Sequence, residues 1–200
     1  MKIKNEEAVK AHLSKFAKGR TATARHLDYL RDLALCSDNV VELGIKHGAS
    51  STALAWCEGK LYSYDLVITK GAKALMPLIG DKWKVTQADT TKVSLEDVPE
   101  HDLLFVDSLH HYHQVASELE IFAGKTKKWI VFHDTITFGT WGADGEKGTW
   151  IEDPHVTPEF NPKVHGIRLA IDEFMVVHPE WVIKRHVAFS HGLLTLERIC

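Results

Sequence analysis

Two short runs place carboxylates and imidazoles directly after apolar stretches. Asp107-Ser-Leu-His110 follows Asp102–Val106, and His133-Asp134-Thr135 follows Trp129–Phe132. If both stretches are parallel strands of an open α/β sheet, their C-terminal ends face the ligand crevice and Asp107 and Asp134 surround one point. Two hard oxygen donors there suit Mg²⁺ or another divalent cation, which takes one or two protein carboxylates and fills its other positions with water or substrate. A histidine has a pKa near neutrality and can take a proton from a hydroxyl held beside it, which makes His110 the candidate general base. Other readings use the same residues. Asp107, His110 and His133 meet the count of a non-haem iron facial triad. His110-His111-x-His113 has zinc-binding residue types but no second cluster at a zinc-site spacing. His111 and His113 also suit capping or exposure at a helix start, and Asp134 suits a turn.

A second signature lies upstream, where Asn39-Val-Val-Glu42-Leu-Gly44-Ile-Lys-His-Gly48-Ala-Ser-Ser-Thr52 runs an apolar strand into a glycine turn and then a helix start. Parallel α/β sheets build nucleotide pockets in this way. Glycine at 44 can adopt a conformation that a Cβ disfavours, and a ligand can approach its backbone closely. The dinucleotide pattern G-x-G-x-x-G is not met, because Lys46 stands at its second glycine, so a nicotinamide cofactor is disfavoured. Lys46 and His47 read as solvated loop residues.

These groups need a scaffold, and the rest of the chain supplies one. Residues 5–17 and 22–35 have helical apolar spacing and form a helical N-terminal cap over residues 1–37. Strand-like runs at 40–43, 61–64, 84–87, 102–106 and 129–132 then alternate with helical runs at 50–57, 72–79 and 113–123. Such alternation predicts βαβ units and a parallel sheet with helices on both faces. Residues 136–164 break the rhythm as a long loop carrying Phe138, Trp141 and Trp150, with the segment 142–148 rich in glycine. A loop of that length is often a lid or binding loop. A helix over 166–178 follows, in which Arg168 could meet an anionic substrate or form a surface salt bridge. Two strand-like runs, 181–189 and 193–199, are separated by Ser190-His191-Gly192, a hairpin signal.

The chain of 200 residues suits a single domain, and its net charge of −3 gives no basic field for nucleic acid. With no apolar run of membrane-spanning length and no signal-peptide core at the start, a soluble, cytoplasmic protein with no membrane partner is expected. Cys36, Cys57 and Cys200 are odd in number and widely spaced, as ordinary reduced cysteines are. Oligomeric state leaves no trace in the spacing: the N-terminal helices can roof the sheet or pack on a neighbour in a homodimer.

Glu42-Leu-Gly44 followed by Gly48 resembles the first motif of class I S-adenosylmethionine (SAM) methyltransferases. Asp-x-x-His after the fourth strand and His-Asp-Thr after the fifth resemble their metal-dependent O-methyltransferase branch, which includes catechol, macrolide-sugar and cephalosporin-hydroxylase-like members. The resemblance implies a Rossmann-like fold, a mostly parallel seven-stranded sheet whose last strand is inserted antiparallel beside the fifth. It assigns SAM to Glu42, Gly44, Gly48, Asp65, Asp89 and Asp107, with Asp65 at the ribose and Asp89 near the adenine. It assigns the metal to Asp107, His133 and Asp134. Catechol enzymes have Asp-Asn at Asp134-Thr135 and lysine at His110, whereas macrolide-sugar enzymes match the histidine but have an acid at His133. The third metal ligand is therefore open. The implied reaction is methylation of a hydroxyl on a small molecule such as a sugar or secondary metabolite, and the alternative is a SAM-binding domain without metal-dependent methyl transfer. SAM carries an activated methyl group, so the acceptor hydroxyl is what needs acidifying, and a divalent metal does this.

Overall fold

The computed structural model describes residues 1–19, 22–140 and 165–199. Seven strands form one sheet: β1 (Val40–Leu43), β2 (Leu61–Asp65), β3 (Trp83–Gln87), β4 (His101–Val106), β5 (Thr126–His133), β6 (Trp181–Val187) and β7 (Leu193–Arg198). Their order is β3-β2-β1-β4-β5-β7-β6. β1 to β5 pair in parallel, and β7 lies antiparallel between β5 and β6. The expected alternation, the hairpin and the inserted last strand are all present. The order reverses between β1 and β4, and in open α/β sheets ligands bind outside the strand ends at such a switch point.

Period-two alternation divides the interior into two cores. On one face Val40, Leu103, Phe105, Val131 and Leu193 pack against α1 (Glu6–Ala17), α2 (Leu27–Leu35), α3 (Ala49–Leu54) and α4 (Lys70–Ile79). On the other, Val41, Leu43, Leu104, Val106, Ile130 and Phe132 meet α5 (Tyr112–Phe122) and α6 (Ile167–Val177). The N-terminal helices thus roof one face. The second of them starts as a 3-10 turn, Ala22–His26, which carries His26 into the interior.

Register decides what meets at the sheet's C-terminal end. Leu43 is level with Val106, Val106 with Phe132, and His133 with Leu193. Gly44, Asp107, His133 and the hairpin turn before β7 therefore stand side by side.

The loop expected over 136–164 is described only to residue 140; Trp141, Trp150 and the segment 142–148 lie outside the described residues, as does Cys200. Its described ends are joined by the Gly166 N–H donating to the Thr140 carbonyl at 2.9 Å. Among the described residues no helix is long and apolar enough to cross a membrane.

Candidate functional site

The glycine turn after β1 has a left-handed backbone at three positions, Gly44 (φ 90°), Lys46 (φ 50°) and Gly48 (φ 80°). A Cβ on Gly44 would lie 2.2 Å from the Asp107 carbonyl oxygen, and one on Gly48 2.5 Å from Leu75 Cδ1. Glycine at 44 is thus required by the close passage of the chain after β4, and it also borders the cleft. Asp65 clamps the turn from the next strand, one oxygen accepting from the Ile45 and Lys46 amides at 2.7 and 3.0 Å. Its other oxygen accepts from the Val67 amide at 3.0 Å.

Glu42 has a different setting. Its carboxylate lies wholly buried beneath the turn and accepts from Ser50 (2.6 Å), Ser51 (2.8 Å) and Ser63 (2.5 Å). Burial pushes this carboxyl up to about 7, against the opposing pull of the three hydroxyls. The residue supports the turn from below and does not line the cleft above it. Gly48 does not line it either; it caps α3.

The cleft, about 380 Å³, is bordered by Gly44, Asp65, Asp89, Asp107, Ser108 and Gln114 among others. Asp89 caps a short turn through the Thr91 amide (3.1 Å) and pairs with Lys92 (2.9 Å); the Thr91 hydroxyl and Lys92 hold its carboxyl below the usual range. Behind the floor is a group that sequence reading missed. Glu118 of α5, fully buried, accepts from Thr90 (2.5 Å), Ser108 (2.8 Å) and Gln114 (2.8 Å), all cleft-lining residues. Gln114 lies one turn earlier on the same helix, but Thr90 and Ser108 come from other segments, so no local motif marks the group. A larger groove of about 580 Å³ lies between α5 and α6, at the opposite end of the strands. None of the clustered carboxylates and imidazoles borders it, so the smaller cleft is the candidate site.

Beside that cleft, Asp107, His110 and Asp134 bring one ligand atom each to within 4.8 Å of one another. His110 Nε2 lies 3.3 Å from Asp107 Oδ1 and 3.1 Å from Asp134 Oδ2. His133 lies beneath, its Nδ1 3.3 Å from Asp107 Oδ1 and 3.2 Å from Asp134 Oδ1. Asp107 and His133 continue the alternation of β4 and β5 onto one face. Asp134, next in line, would point to the opposite face of an extended strand. Its left-handed φ of 60° turns it back, a conformation that aspartate tolerates better than most residues. Asp134 is therefore both a turn residue and a member of the cluster.

Burial alone would raise the Asp107 carboxyl, but the two imidazoles hold it well below the usual carboxylate range. Burial likewise disfavours charge on His133, but the two carboxylates lift that ring well above its ordinary value. Apart from these ion-pair contacts, neither His133 nitrogen nor Asp134 Oδ1 has an aligned hydrogen-bond partner among the described residues, although all three atoms are buried. The converging ligand atoms of Asp107, His110 and Asp134 fit a divalent ion.

Other residues wall the cluster. The Phe138 ring stacks on His110 at 4.8 Å and 17°. His191, read in the sequence only as part of a hairpin turn, places Nδ1 3.9 Å from Asp134 Oδ1 and 2.7 Å from the Thr137 hydroxyl. The His26 ring meets His133 edge-on at 5.4 Å. His111, expected to cap a helix or lie exposed, is buried; its backbone caps α5 but its side chain forms no capping bond. Arg168 pairs with Asp172 at 2.7 Å, the salt bridge anticipated for it, and Lys46 and His47 are exposed as expected.

Residues 41–135, the segment that holds every residue assigned above to cofactor, metal or base, match the family described as a methyltransferase domain. No curated protein matches the chain by sequence. The fold is similar to that of a proposed O-methyltransferase from Klebsiella pneumoniae, with 15% identity, a TM-score of 0.66, and coverage of 98% of this chain and 90% of that one. It is similar to the O-methyltransferase from Bacillus cereus in complex with SAH, with 15% identity, a TM-score of 0.65, and coverage of 96% and 90%. It also resembles the N-methyltransferase NodS from Bradyrhizobium japonicum, with 16% identity, a TM-score of 0.60, and coverage of 90% and 97%. Likeness at such identities establishes the fold, and the fold alone serves both oxygen and nitrogen acceptors.

Proposed function

We propose, from the match of residues 41–135 to the methyltransferase-domain family, that the chain transfers a methyl group from SAM to a hydroxyl of a small molecule with the help of a divalent cation. The observation that carries this reading is the position of Asp107. It is the described residue that both borders the cleft and belongs to the carboxylate–imidazole group, so a cofactor in the cleft and an acceptor at the group would meet across it. The SAH bound to the Bacillus cereus protein of similar fold supports the choice of cofactor.

Gly44, Asp65 and Asp89 border the cofactor's place, while Glu42 and Glu118 brace its floor from below. Asp107, His110 and Asp134 would hold the cation, which supplies the polarisation that lets an alcohol lose its proton near neutral pH. His110, the expected general base, has its Nε2 between the two carboxylates, and we assign it to the cation instead of to free proton transfer. Phe138 lies flat on the His110 ring. Holding hydroxyl and methyl donor on either side of Asp107 would turn a bimolecular encounter into an oriented one.

Calorimetry with SAM, first in EDTA and then with an added divalent cation, tests the reading. The wild type is expected to bind SAM in both conditions, and Asp107→Ala to lose the cation and methylation of hydroxylated acceptors. Absence of SAM binding in either condition would remove the cofactor assignment. Unchanged turnover in Asp107→Ala would leave the alternative of a site that does not use a metal.

A further inference from the structure

We infer that Gln114 is the residue that selects the purine base of the cofactor: its carboxamide oxygen, fixed in direction by the buried Glu118, accepts from the 6-amino group of adenine. The inference rests on the SAM reading above. It moves base recognition away from Asp89, the strand-end acid that the resemblance places near the adenine.

The direction of the Gln114 amide follows from what lies beneath it. Its Nε2 stands 2.8 Å from Glu118 Oε1 and 2.7 Å from Thr90 Oγ1. A carboxylate oxygen only accepts, and the Thr90 hydroxyl places its own hydrogen on that same Glu118 oxygen at 2.5 Å. Both neighbours therefore need a donor, and the NH₂ end of the amide is the end that supplies two. A reversed amide would set its oxygen against the Glu118 oxygen with no hydrogen between them. With both N–H groups engaged, the carboxamide oxygen lies on the other branch of the planar amide, turned away from the buried carboxylate. Among the described residues no donor meets it, and Gln114 borders the cleft.

The surroundings suit a purine. The bond from Gln114 to Thr90 joins α5 to the turn after β3, the turn that Asp89 caps. Asp89 itself is engaged locally: Oδ1 accepts from the Thr91 amide at 3.1 Å and its hydroxyl at 2.7 Å, and Oδ2 pairs with Lys92 at 2.9 Å. Exposed apolar side chains, Leu66 and Val67 after β2 and Leu109 after β4, border the same cleft. Apolar groups left exposed around a concave site mark a ligand's place, and they would cover the faces of a flat heterocycle. Such walls do not tell one purine from another, whereas a fixed acceptor does. Adenine offers it an N–H. Hypoxanthine offers a carbonyl oxygen, and two facing acceptors leave both unpaired.

The test is calorimetry of the full chain with SAH, the demethylated cofactor, and with its inosine counterpart S-inosylhomocysteine, in which oxygen replaces the 6-amino group. The wild type is expected to bind SAH about 10- to 100-fold more tightly. Gln114→Leu, which keeps the bulk and removes the acceptor, should bring the two affinities to within about 3-fold of each other, mainly by weakening SAH. Glu118→Gln should also shrink the ratio, because its own NH₂ can face Gln114 and let that amide reverse. General damage to the cleft would weaken both nucleosides alike and leave the ratio in place, and thermal melting of both variants checks that they fold. Equal binding of the two nucleosides by the wild type overturns the inference and leaves the SAM reading standing, as does a wild-type ratio kept in Gln114→Leu. Failure of the wild type to bind either nucleoside removes the SAM reading, and this inference with it.

Discussion

The Asp107 carbonyl oxygen occupies a point 2.2 Å from where a Cβ on Gly44 would stand, so the cofactor turn and the cation strand are in direct contact through their backbones. The Gly44 φ of 90° adds a left-handed preference, which costs a residue with a side chain about 1–2 kcal/mol. Gly44→Ala is therefore expected to push β1 and β4 apart where they end, and to weaken SAM and cation binding together. Calorimetry for both ligands checks this. Loss of SAM binding with an intact cation site would show that the two ends are not mechanically joined.

Glu42 gives a pH signature. Its folded-state pKa of about 7 lies above its reference value of 4.5, so the folded chain keeps a proton that the unfolded chain has released. The stabilisation is complete below about pH 4.5 and is lost as pH rises through 7, an effect on the order of 3 kcal/mol. Glu42→Gln removes the titrating group while keeping an acceptor for the serines. Relative to wild type, the variant should gain stability between pH 5 and pH 8, by several degrees of melting temperature. Parallel melting profiles across that range would show that Glu42 does not titrate there.

His101 has the opposite sign. Burial lowers it to about 4, and its ring nitrogens lie 2.8 Å from the Pro99 carbonyl and 2.8 Å from the Thr126 hydroxyl. Its contribution is complete above pH 6.5 and is lost as pH falls toward 4. His101→Gln is expected to lose stability relative to wild type at pH 8 and to recover most of the difference by pH 4.5, as thermal melts at the two pH values would show. A constant difference would point to packing alone.

The strands, the parallel order and the hairpin were legible because apolar alternation and turn residues act over a few positions. Asp107 and His133 were legible for the same reason, each lying one step past the end of an apolar run. The jobs of Glu42 and Glu118 were not, since Ser50, Ser51 and Ser63 in one case, and Thr90 and Ser108 beside the Gln114–Glu118 pair of α5 in the other, come together only through the fold. His191 was hidden differently. In sequence it is a turn residue, and only the antiparallel pairing that sets Leu193 beside His133 brings it to the rim.

That rim can be disturbed by itself. Gly192 has φ 93°, and a Cβ there would lie 2.6 Å from Ile136 Cγ1 and 2.8 Å from Thr135 Oγ1. Gly192→Ala should lift the hairpin from the segment after Asp134 and break the Ile136 N–H bond to the His191 carbonyl, 2.9 Å long. Cation affinity should fall by about 10-fold, as for other changes just outside a metal's ligands. SAM affinity should hold, because the cleft lies on the far side of Asp107. An equal loss of both ligands would mean that the hairpin supports the whole sheet end.

Glu118 gives the reverse separation. It joins Thr90, Ser108 and Gln114 from beneath the cleft, and burial raises its carboxyl despite those donors. Removing it in Glu118→Ala leaves their hydrogen atoms without that acceptor, each at a cost of about 1–3 kcal/mol where water cannot enter. The three side chains should then reorient. SAM affinity is expected to fall by about 10-fold, since one 1.4 kcal/mol step is a factor of ten. Glu118→Gln, which keeps one acceptor oxygen, should recover part of that loss, and divalent-cation affinity should stay at the wild-type value in both variants. If SAM binding is unaffected while the melting temperature drops, Glu118 serves only to hold α5 to the sheet, and the cleft floor is set by the backbone of β3 and β4.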